Sequence, residues 1–457
     1  MANKILIVGY GVAGQGLAAS LRENNEEVLG FLDDMAQADE VLGKLEDVNN
    51  VIAKYDVENI YFAIPSAPAK TFRDFVNRIE KDDVTLRMLP RDYKTISKQE
   101  VNINELTDVD IMSMIGREPV KHDLLASKKL IEGKTVLVTG AAGSIGSKLV
   151  KFLLTLKPKH VVCVDWWENG TFYLQQDLGQ NDTISYHIAD IKSIERISQI
   201  FAKHKPEIVL HAAAYKHVPL MQHNPVEAYN NNVWGSLNIM RQCINHGVKN
   251  FVLVSTDKAV NPANVMGSTK RLAEMLLEVM ANSHSKTKFN AVRFGNVIQS
   301  NGSVMHIFKK QIEQGQPLTV THEDVTRYFM TVEEAAQLIV QSTAIGKNGE
   351  IFVLDMGEPI KVIDLAKSLI RVLNKPIDIK ITGLRPGEKM FEELAYDDKS
   401  VDKTAHDKIF VVKSEKPFDH EDFVVHMDTL IDKTLRYDIT NENMISTLKG
   451  MGFPIKD

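Results

Sequence analysis

Four residues with polar, reactive side chains run together in Ser255-Thr256-Asp257-Lys258, and a second amine, Lys270, follows shortly after. A hydroxyl, a carboxylate and two amines gathered in one cleft have the means for acid–base chemistry on a bound substrate. The apolar run Phe251-Val-Leu-Val254 reads as a buried strand ending at Ser255, and Asn261-Pro262 then breaks the chain. From Val265 through Met280 the periodicity is helical. Thr256, Asp257 and Lys258 are therefore expected at the C-terminal tip of a strand, the edge where open α/β sheets bind ligands. Met266 and Lys270 are four apart and share one helix face. A solvated loop before an ordinary surface helix fits the same residues, and this stretch alone does not choose between the two.

Such a tip needs a sheet behind it. Lys134-Thr-Val-Leu-Val138 is a buried-strand run leading into Thr139-Gly140-Ala-Ala-Gly143-Ser-Ile-Gly146 and a helix to about Leu156. Glycines in this Gly-x-x-Gly-x-x-Gly spacing let backbone N–H groups and a helix dipole hold a pyrophosphate. The next strand, His160-Val-Val-Cys-Val164, ends in Asp165, placed to accept from an adenosine ribose diol. Trp166, Trp167 and Glu168 follow, with no Arg or Lys to meet a 2′-phosphate, so NAD is expected rather than NADP. Asp190, in Ser185-Tyr-His-Ile-Ala-Asp190-Ile191, is expected near the adenine. After the strand Ile208-Val-Leu210 comes His211-Ala-Ala-Ala-Tyr-Lys216-His217, whose small alanines suit close backbone approach to a cofactor. Strands and helices alternating at this rhythm predict an α/β fold with a parallel, doubly wound sheet.

A second unit of the same kind opens the chain. Lys4-Ile-Leu-Ile-Val8 leads into Gly9-Tyr-Gly11-Val-Ala-Gly14 and a helix to about Asn25, and the strand Glu27-Val-Leu-Gly-Phe-Leu32 ends in Asp33-Asp34. Turn glycines with an acid ~20 positions on form the dinucleotide fingerprint. Few further strands follow, so turn glycines kept for folding alone are the preferred reading. Two Rossmann-like sheets are thus expected. The predicted division is an N-terminal Rossmann-like domain at 1–95, a linker at 96–130 that includes Ile115-Gly-Arg117-Glu-Pro-Val120, and an NAD-binding Rossmann domain at 131–289. An α+β part at 290–400 and a C-terminal extension at 401–457 complete it.

Composition narrows the classes. At 457 residues there is room for about three domains. A hydrophobic share of 44% and a charged share of 25% are ordinary for a globular chain. The net charge of −6 supplies no basic field for nucleic acid or anionic membrane. Cys163 and Cys243 lie in apolar surroundings and cannot build a disulfide framework or a Cys-based zinc site, so inert core thiols and no metal are expected. No apolar run approaches the ~18–20 residues of a bilayer span, and Met-Ala-Asn-Lys enters a strand without signal-peptide character. A soluble, cytoplasmic protein without membrane insertion is the expectation.

Seven motifs resemble the extended short-chain dehydrogenase/reductase superfamily, and within it the polysaccharide-biosynthesis branch of nucleoside-diphosphate-sugar 4,6-dehydratases. They are Thr139-Gly140-Ala-Ala-Gly143-Ser-Ile-Gly146, His211-Ala-Ala-Ala-Tyr-Lys-His-Val-Pro219, Ser255-Thr-Asp-Lys-Ala-Val-Asn-Pro262, Arg293-Phe-Gly-Asn296-Val, Thr326-Arg-Tyr-Phe-Met-Thr331, Phe352-Val-Leu-Asp-Met-Gly357 and Arg385-Pro-Gly-Glu388-Lys. Together they cover about residues 134–395. The N-terminal 130 residues resemble the extra domain of the larger members, which carry transmembrane helices ahead of it. This sequence holds no such run, so membrane attachment is not carried over.

The resemblance implies an intramolecular redox reaction. NAD⁺ takes hydride from sugar C4, the 4-ketone acidifies the C5 proton, a base removes it, an acid protonates the departing C6 hydroxyl, and hydride returns to C6. On this chain it makes Asp257 the general acid, Lys258 the general base and Thr256 the hydroxyl near O4. Lys270 becomes the contact of the nicotinamide ribose. Gly140, Gly143, Ser144, Ile145, Gly146, Asp165, Asp190, Ile191 and Ala212 form the cofactor-binding set. Lys216, His217, Asn296, Ser303, Arg327, Arg385 and Glu388 fall to the substrate, with Arg385 pairing with the pyrophosphate and Glu388 accepting from a ribose hydroxyl. The usual substrate of the branch is UDP-N-acetylglucosamine, and a homo-oligomer is expected because helix-paired dimers are common in the superfamily.

The departure from the superfamily is Met266, where most members have a tyrosine that takes the proton from the hydroxyl being oxidised. A thioether cannot do so, although methionine is familiar there within the branch. Thr256 with a relayed water is the suggested substitute. For the elimination, Asp257 needs a raised pKa and Lys258 a lowered one, the latter through burial and the positive charges of Lys270 and the nicotinamide. A nucleotide-sugar 4-epimerase, or a nucleotide-sugar-binding protein without turnover, are the competing readings.

Overall fold

Side chains alternate across a strand, and several of these strands are apolar on both sides, so each sheet must be covered on two faces. The computed structural model, which describes residues 4–81, 84–89, 124–283, 286–298, 300–373, 377–395, 401–413 and 418–456, has two sheets of this kind. Each belongs to its own compact unit. Among the described residues, one unit falls within 1–119, 308–325 and 360–383, the other within 120–307, 326–359 and 384–457. This grouping follows contacts rather than chain order: 308–325 and 360–383, expected inside a single part at 290–400, are counted with the N-terminal residues.

In the N-terminal unit, β1 (Lys4–Val8), β2 (Glu27–Leu32), β3 (Val41–Gly43), β4 (Asn59–Phe62) and β5 (Thr85–Met88) form a parallel sheet in the order β3-β2-β1-β4-β5. Gly14 is needed for packing, since a Cβ there would lie 1.9 Å from the Gly9 carbonyl oxygen. Asp33 closes the same turn by accepting from the Tyr10 N–H at 2.7 Å. Burial pushes its carboxyl up, but the N–H groups of Tyr10, Met35 and Ala36 outweigh that and hold it below the usual range. The helix Val362–Leu373 packs against β5 and the helix Ala69–Arg78, burying Leu365, Ala366 and Leu369.

In the larger unit, β6 (Thr135–Thr139), β7 (His160–Asp165), β8 (Ile184–Ile188), β9 (Ile208–His211), β10 (Asn250–Val254) and β11 (Lys288–Arg293) run parallel in the order β8-β7-β6-β9-β10-β11. The strand order reverses between β6 and β9, the place where doubly wound sheets open a ligand crevice. Leu137, Phe251 and Leu253 face one core, while Val136, Val138 and Val252 face the other. Helices Gly235–Asn245 and Val265–Asn282 pack together on the first core, and Ser144–Thr155 packs with Val332–Ile345 on the second.

Two expectations change here. Residues 90–123, with most of the expected linker and its Ile115–Val120 segment, lie outside the described residues. Residues 124–131, however, form a helix of the larger unit, held by Ser127 donating to the buried Gln341 at 2.8 Å. The C-terminal residues are more than an extension. Ile351–Leu354 joins β11, Ile409–Val412 and Val401–Lys403 add antiparallel beyond it, and Met427, Met444 and Leu448 from two further helices enter the first core. Cys163 and Cys243 are buried free thiols. Burial pushes the Cys163 thiol up to about 12.

One buried ion pair joins three of these elements. Arg293, the last residue of β11, donates from Nε and Nη2 to Glu274 at 2.9 and 2.6 Å. Glu274, on the helix Val265–Asn282, also accepts from the Ser255 hydroxyl at 2.6 Å, just past β10. Both charged side chains are fully shielded from solvent. Removing one member of such a pair strands the other charge in the core. Glu274→Ala is therefore expected to destabilise this unit by roughly 3–5 kcal/mol, read as a lowered urea midpoint.

Candidate active site

The strand ladder outlasts β10. The Ser255 N–H donates to Val292 O at 2.7 Å and the Asp257 N–H to Phe294 O at 3.1 Å, so residues 255–257 stay in register at the sheet edge. Thr256 then caps a single 3₁₀ turn, Asp257–Ala259, its hydroxyl oxygen accepting from the Lys258 N–H at 3.3 Å. Asn261 takes up φ 41°, a left-handed conformation that asparagine tolerates better than most residues. Asn264 caps the following helix by accepting from the Gly267 N–H at 2.8 Å. Gly267 must stay small, because a Cβ there would lie 2.3 Å from the Lys258 carbonyl oxygen.

The result is a tight charged cluster. The Thr256 hydroxyl donates to Asp257 Oδ1 at 2.7 Å. Lys258 Nζ donates to Asp257 Oδ1 at 3.1 Å and to Asn296 Oδ1 at 3.3 Å, and sits 2.6 Å from Glu392 Oε1. Glu392 also meets Arg327 Nε at 3.3 Å and accepts from Asn296 Nδ2 at 3.1 Å. The side chains of Asp257 and Glu392 are 0% and 3% exposed, that of Lys258 23%.

This arrangement reverses the pKa shifts expected from sequence. Burial alone would raise Asp257, but the Lys258 charge and hydrogen bonds from Glu392, Thr256 and Lys258 outweigh it and hold Asp257 below its usual value. Burial alone would lower Lys258, yet the charges of Asp257 and Glu392 lift it above the ordinary range. The carboxyl that rises is Glu392, pushed up to about 7 by burial first and then by the Asp257 charge. Asp257 and Lys258 chiefly oppose each other's burial shifts, and Glu392, distant in sequence, adds to both effects.

On the neighbouring helix, Met266 is 3% exposed and packed into the core. Lys270, four residues on, donates to Val254 O at 2.7 Å. Burial lowers its ammonium to about 8, against a smaller opposing pull from Glu274.

At the β6–β9 crevice the backbone makes a cradle. Gly140 has φ 65°, and a Cβ there would lie 2.7 Å from the Ala213 nitrogen, beside Ala212; one on Gly146 would lie 2.0 Å from Gly140 O. Gly143 starts the helix Ser144–Thr155, Ile145 included, with no side-chain cap and no acid in the first turn. That leaves amides and a positive helix end suited to a dinucleotide pyrophosphate. The Ser144 hydroxyl oxygen accepts from the Asn301 N–H at 3.0 Å. Asp165 accepts from the N–H groups of Ala142 and Trp167, each at 2.9 Å, and burial still raises its carboxyl. Asp190 accepts from the Lys192 N–H at 2.9 Å, and Ile191 is buried against Gly235.

A cleft with about 600 Å³ of empty space, open to solvent, lies beside the charged cluster. Of the expected substrate residues, Lys258's neighbours Asn296 and Arg327 line it, with Arg385 and Glu388 opposite. Arg327 donates to Glu388 Oε1 at 2.7 Å, and the Arg385 N–H donates to Glu388 Oε2 at 3.2 Å, so both oxygens of that carboxylate are engaged. Lys216, His217 and Ser303 are not in the lining. Lys216 stands near enough to Lys258 for that charge to help burial lower its ammonium, and the His217 ring packs over Gly302.

Sequence reasoning missed Asn264, Lys389 and Glu392 as cleft residues. They meet because the 385–393 loop docks on the 258–264 turn. Asn264 donates to Gly387 O at 3.0 Å, and Lys389 Nζ donates to Val260 O at 3.0 Å and pairs with Glu393 at 2.9 Å. The only signal at residue 392 is a Glu-Glu pair after the Arg385-Pro-Gly turn, which has no periodicity to assign it a face. Among the described residues, no cluster of three or more His, Cys, Asp or Glu is arranged for a metal, and no helix is long and apolar enough to cross a membrane.

The parallel sheet, its glycine cradle and the strand-tip cluster together define the fold class of the extended short-chain dehydrogenases/reductases. The solved UDP-glucose 4-epimerase of Thermotoga maritima, described with UDP-glucose, is similar at a TM-score of 0.52 and 25% identity, covering 58% of this chain and 91% of that one. Residues 136–414 match the family described as polysaccharide biosynthesis protein, and the chain belongs to that family. It is 39% identical over 426 residues to the capsular polysaccharide biosynthesis protein CapD of Staphylococcus aureus, covering 89% of this chain and 70% of the relative. It is 36% identical over 276 residues to an inverting UDP-N-acetylglucosamine 4,6-dehydratase of Campylobacter jejuni, covering 59% of this chain and 80% of the relative. These relatives put it in the nucleotide-sugar 4,6-dehydratase/epimerase superfamily.

The Lys270 shift carries a signed consequence. The folded chain releases this proton near pH 8, whereas the unfolded chain holds it to 10.5. Below pH 8 burying the ammonium costs stability in full, and the cost disappears as pH rises to 10.5. Lys270→Met should therefore show its greatest relative stability below pH 8, with the difference from the parent shifting against the variant between pH 8 and 10.5, measured by urea unfolding at each pH.

Proposed function

We propose that the chain is an NAD-dependent nucleoside-diphosphate-sugar 4,6-dehydratase acting on UDP-N-acetylglucosamine. The observation that carries this reading is the Asp257–Lys258 pair at the sheet edge, one carboxyl and one amine 3.1 Å apart beside an open cleft. An elimination across C5–C6 needs both an acid and a base; hydride transfer at C4 alone needs neither in that place. The C. jejuni relative's name adds weight to the same substrate.

Bound NAD would supply a hydride acceptor for C4 and a donor for C6. The Gly140–Gly146 cradle would hold its pyrophosphate on backbone amides, and Asp165 and Asp190 would serve the ribose diol and the adenine. Lys270, which donates to Val254 O, would hold the nicotinamide ribose. Thr256 orients the substrate O4 and relays its proton through a water to the solvent of the open cleft, since the Met266 thioether cannot accept it. Lys258 takes the C5 proton and Asp257 delivers one to the leaving C6 hydroxyl. Arg385 faces the diphosphate and Asn296 the sugar. For this to work Lys258 must give up a proton and Asp257 gain one, so substrate entry must undo the resting charge state.

A 4-epimerase reading has support from the similarity to the T. maritima enzyme. Incubation with UDP-N-acetylglucosamine and NAD in deuterated water separates the two. A dehydratase yields a product lighter by one water, with deuterium at C5; an epimerase leaves C5 and C6 unlabelled and the mass unchanged. Asp257→Asn and Lys258→Met should each lower turnover by about 10²–10⁴-fold while nucleotide-sugar binding persists. Intact turnover in either variant would exclude these roles.

A further inference from the structure

Glu392 has no part in that reaction, yet it is bound to the base more closely than the acid is. Its Oε1 is 2.6 Å from Lys258 Nζ, against 3.1 Å for Asp257 Oδ1. Asp257 Oδ2 adds a second observation. It is buried and has no N–H or hydroxyl donor among the described residues, while the Glu392 carboxyl lies within hydrogen-bonding reach of the Asp257 carboxylate. We propose that Glu392 is a positioning residue that works in its neutral form, donating to Asp257 and leaving Lys258 a single carboxylate partner. The proposal rests on reading Asp257 and Lys258 as the acid and base.

The consequence is one internal proton transfer. With Glu392 neutral, an N–H bond of the Lys258 ammonium breaks and an O–H bond forms on Asp257. That single step yields the amine that accepts the C5 proton and the acid that protonates the leaving hydroxyl, with no change in net charge. With Glu392 ionised, a second anion 2.6 Å from Nζ holds the proton on Lys258. Neutral Glu392 removes that charge, and the hydrogen bond it donates to Asp257, which favours the carboxylate, must lengthen as Asp257 takes the proton. The charged groups facing Glu392 are Asp257 and Lys258 from the turn after β10, and Arg327 from across the cleft. Lys216 acts on Lys258 from the loop after β9. On its own loop, Glu388 is engaged by Arg327, and Lys389 and Glu393 pair with each other. Lys258 and, less strongly, Arg327 favour the ionised form, but burial and the Asp257 charge outweigh them.

Two measurements on the full chain test this. In the first, kcat and KM for UDP-N-acetylglucosamine are followed from pH 5.5 to 9. The parent's kcat should fall about tenfold per pH unit on the alkaline side as Glu392 ionises. Glu392→Gln, a permanently neutral isostere, should lose severalfold in kcat at pH 6, keep its KM, and flatten that limb, overtaking the parent at high pH. Glu392→Ala, which leaves Asp257 Oδ2 without a donor, should lose more at every pH. A Gln variant as inactive as the Ala variant, with the parent's limb unchanged, would mean an ionised structural partner and overturn the proposal. In the second, the substrate-free chain is titrated by difference infrared spectroscopy. A protonated-carboxyl band should disappear near pH 7 in the parent and be missing in Glu392→Gln. Its absence from the parent overturns the proposal whether or not the chain turns over the sugar nucleotide, and its presence in a chain without turnover faults only the dehydratase reading.

Discussion

The cleft depends on the buried pairing of Glu274 with Arg293. Strands β10 and β11 and the helix Val265–Asn282 each contribute to the cluster, and each is tied to Glu274: directly by Arg293 on β11, through the Ser255 hydroxyl at the end of β10, and by the helix that carries it. A buried ion pair is not a cheap source of stability, since desolvation offsets much of its attraction. Its value lies in geometry. Two parallel hydrogen bonds to a planar guanidinium fix direction as well as distance, and Thr256, Asp257 and Lys258 inherit that direction through the backbone.

A second constraint acts from the far side of the cleft. The 385–393 loop is pinned to the 258–264 turn by side chain to backbone bonds at Asn264 and Lys389 and by the Lys258–Glu392 contact. Gly387 has φ 73°, and a Cβ there would sit 2.6 Å from the Asn264 Cβ, so the loop comes as near to the turn as backbone permits. That closeness dries the cluster and gives Lys258 two carboxyl partners in place of one. The contact adds to the mutual attraction of Asp257 and Lys258, which holds the first below and the second above its ordinary value.

The two glycine-rich turns invite comparison. In each, a strand-end acid, Asp33 or Asp165, accepts from a backbone N–H of the turn itself. In each, a later glycine lets the helix approach the turn so closely that any Cβ would collide with a carbonyl oxygen. Local fold requirements thus explain the fingerprint in both units. What distinguishes the larger unit is the strand-tip cluster on the same sheet as its cradle.

Much of this was legible in the residues. Alternating apolar runs such as Val136-Leu-Val138 and Phe251-Val-Leu253 determine buried parallel strands, because a two-sided apolar strand has no stable place except between two layers. Asn264 before a periodic run marks the helix start, and glycine spacing marks the turns, because these are short-range steric and hydrogen-bonding demands. The tertiary structure alone decided what lies opposite those elements. Residues 124–131, 401–413 and 418–456 joined the larger unit through contacts that no local pattern announces. Glu392 came to lie against Lys258 across more than a hundred residues of chain, and with it a second carboxyl whose burial beside Asp257 raises its own pKa. Electrostatics depends on distance through space, and a sequence specifies that distance only through the whole fold.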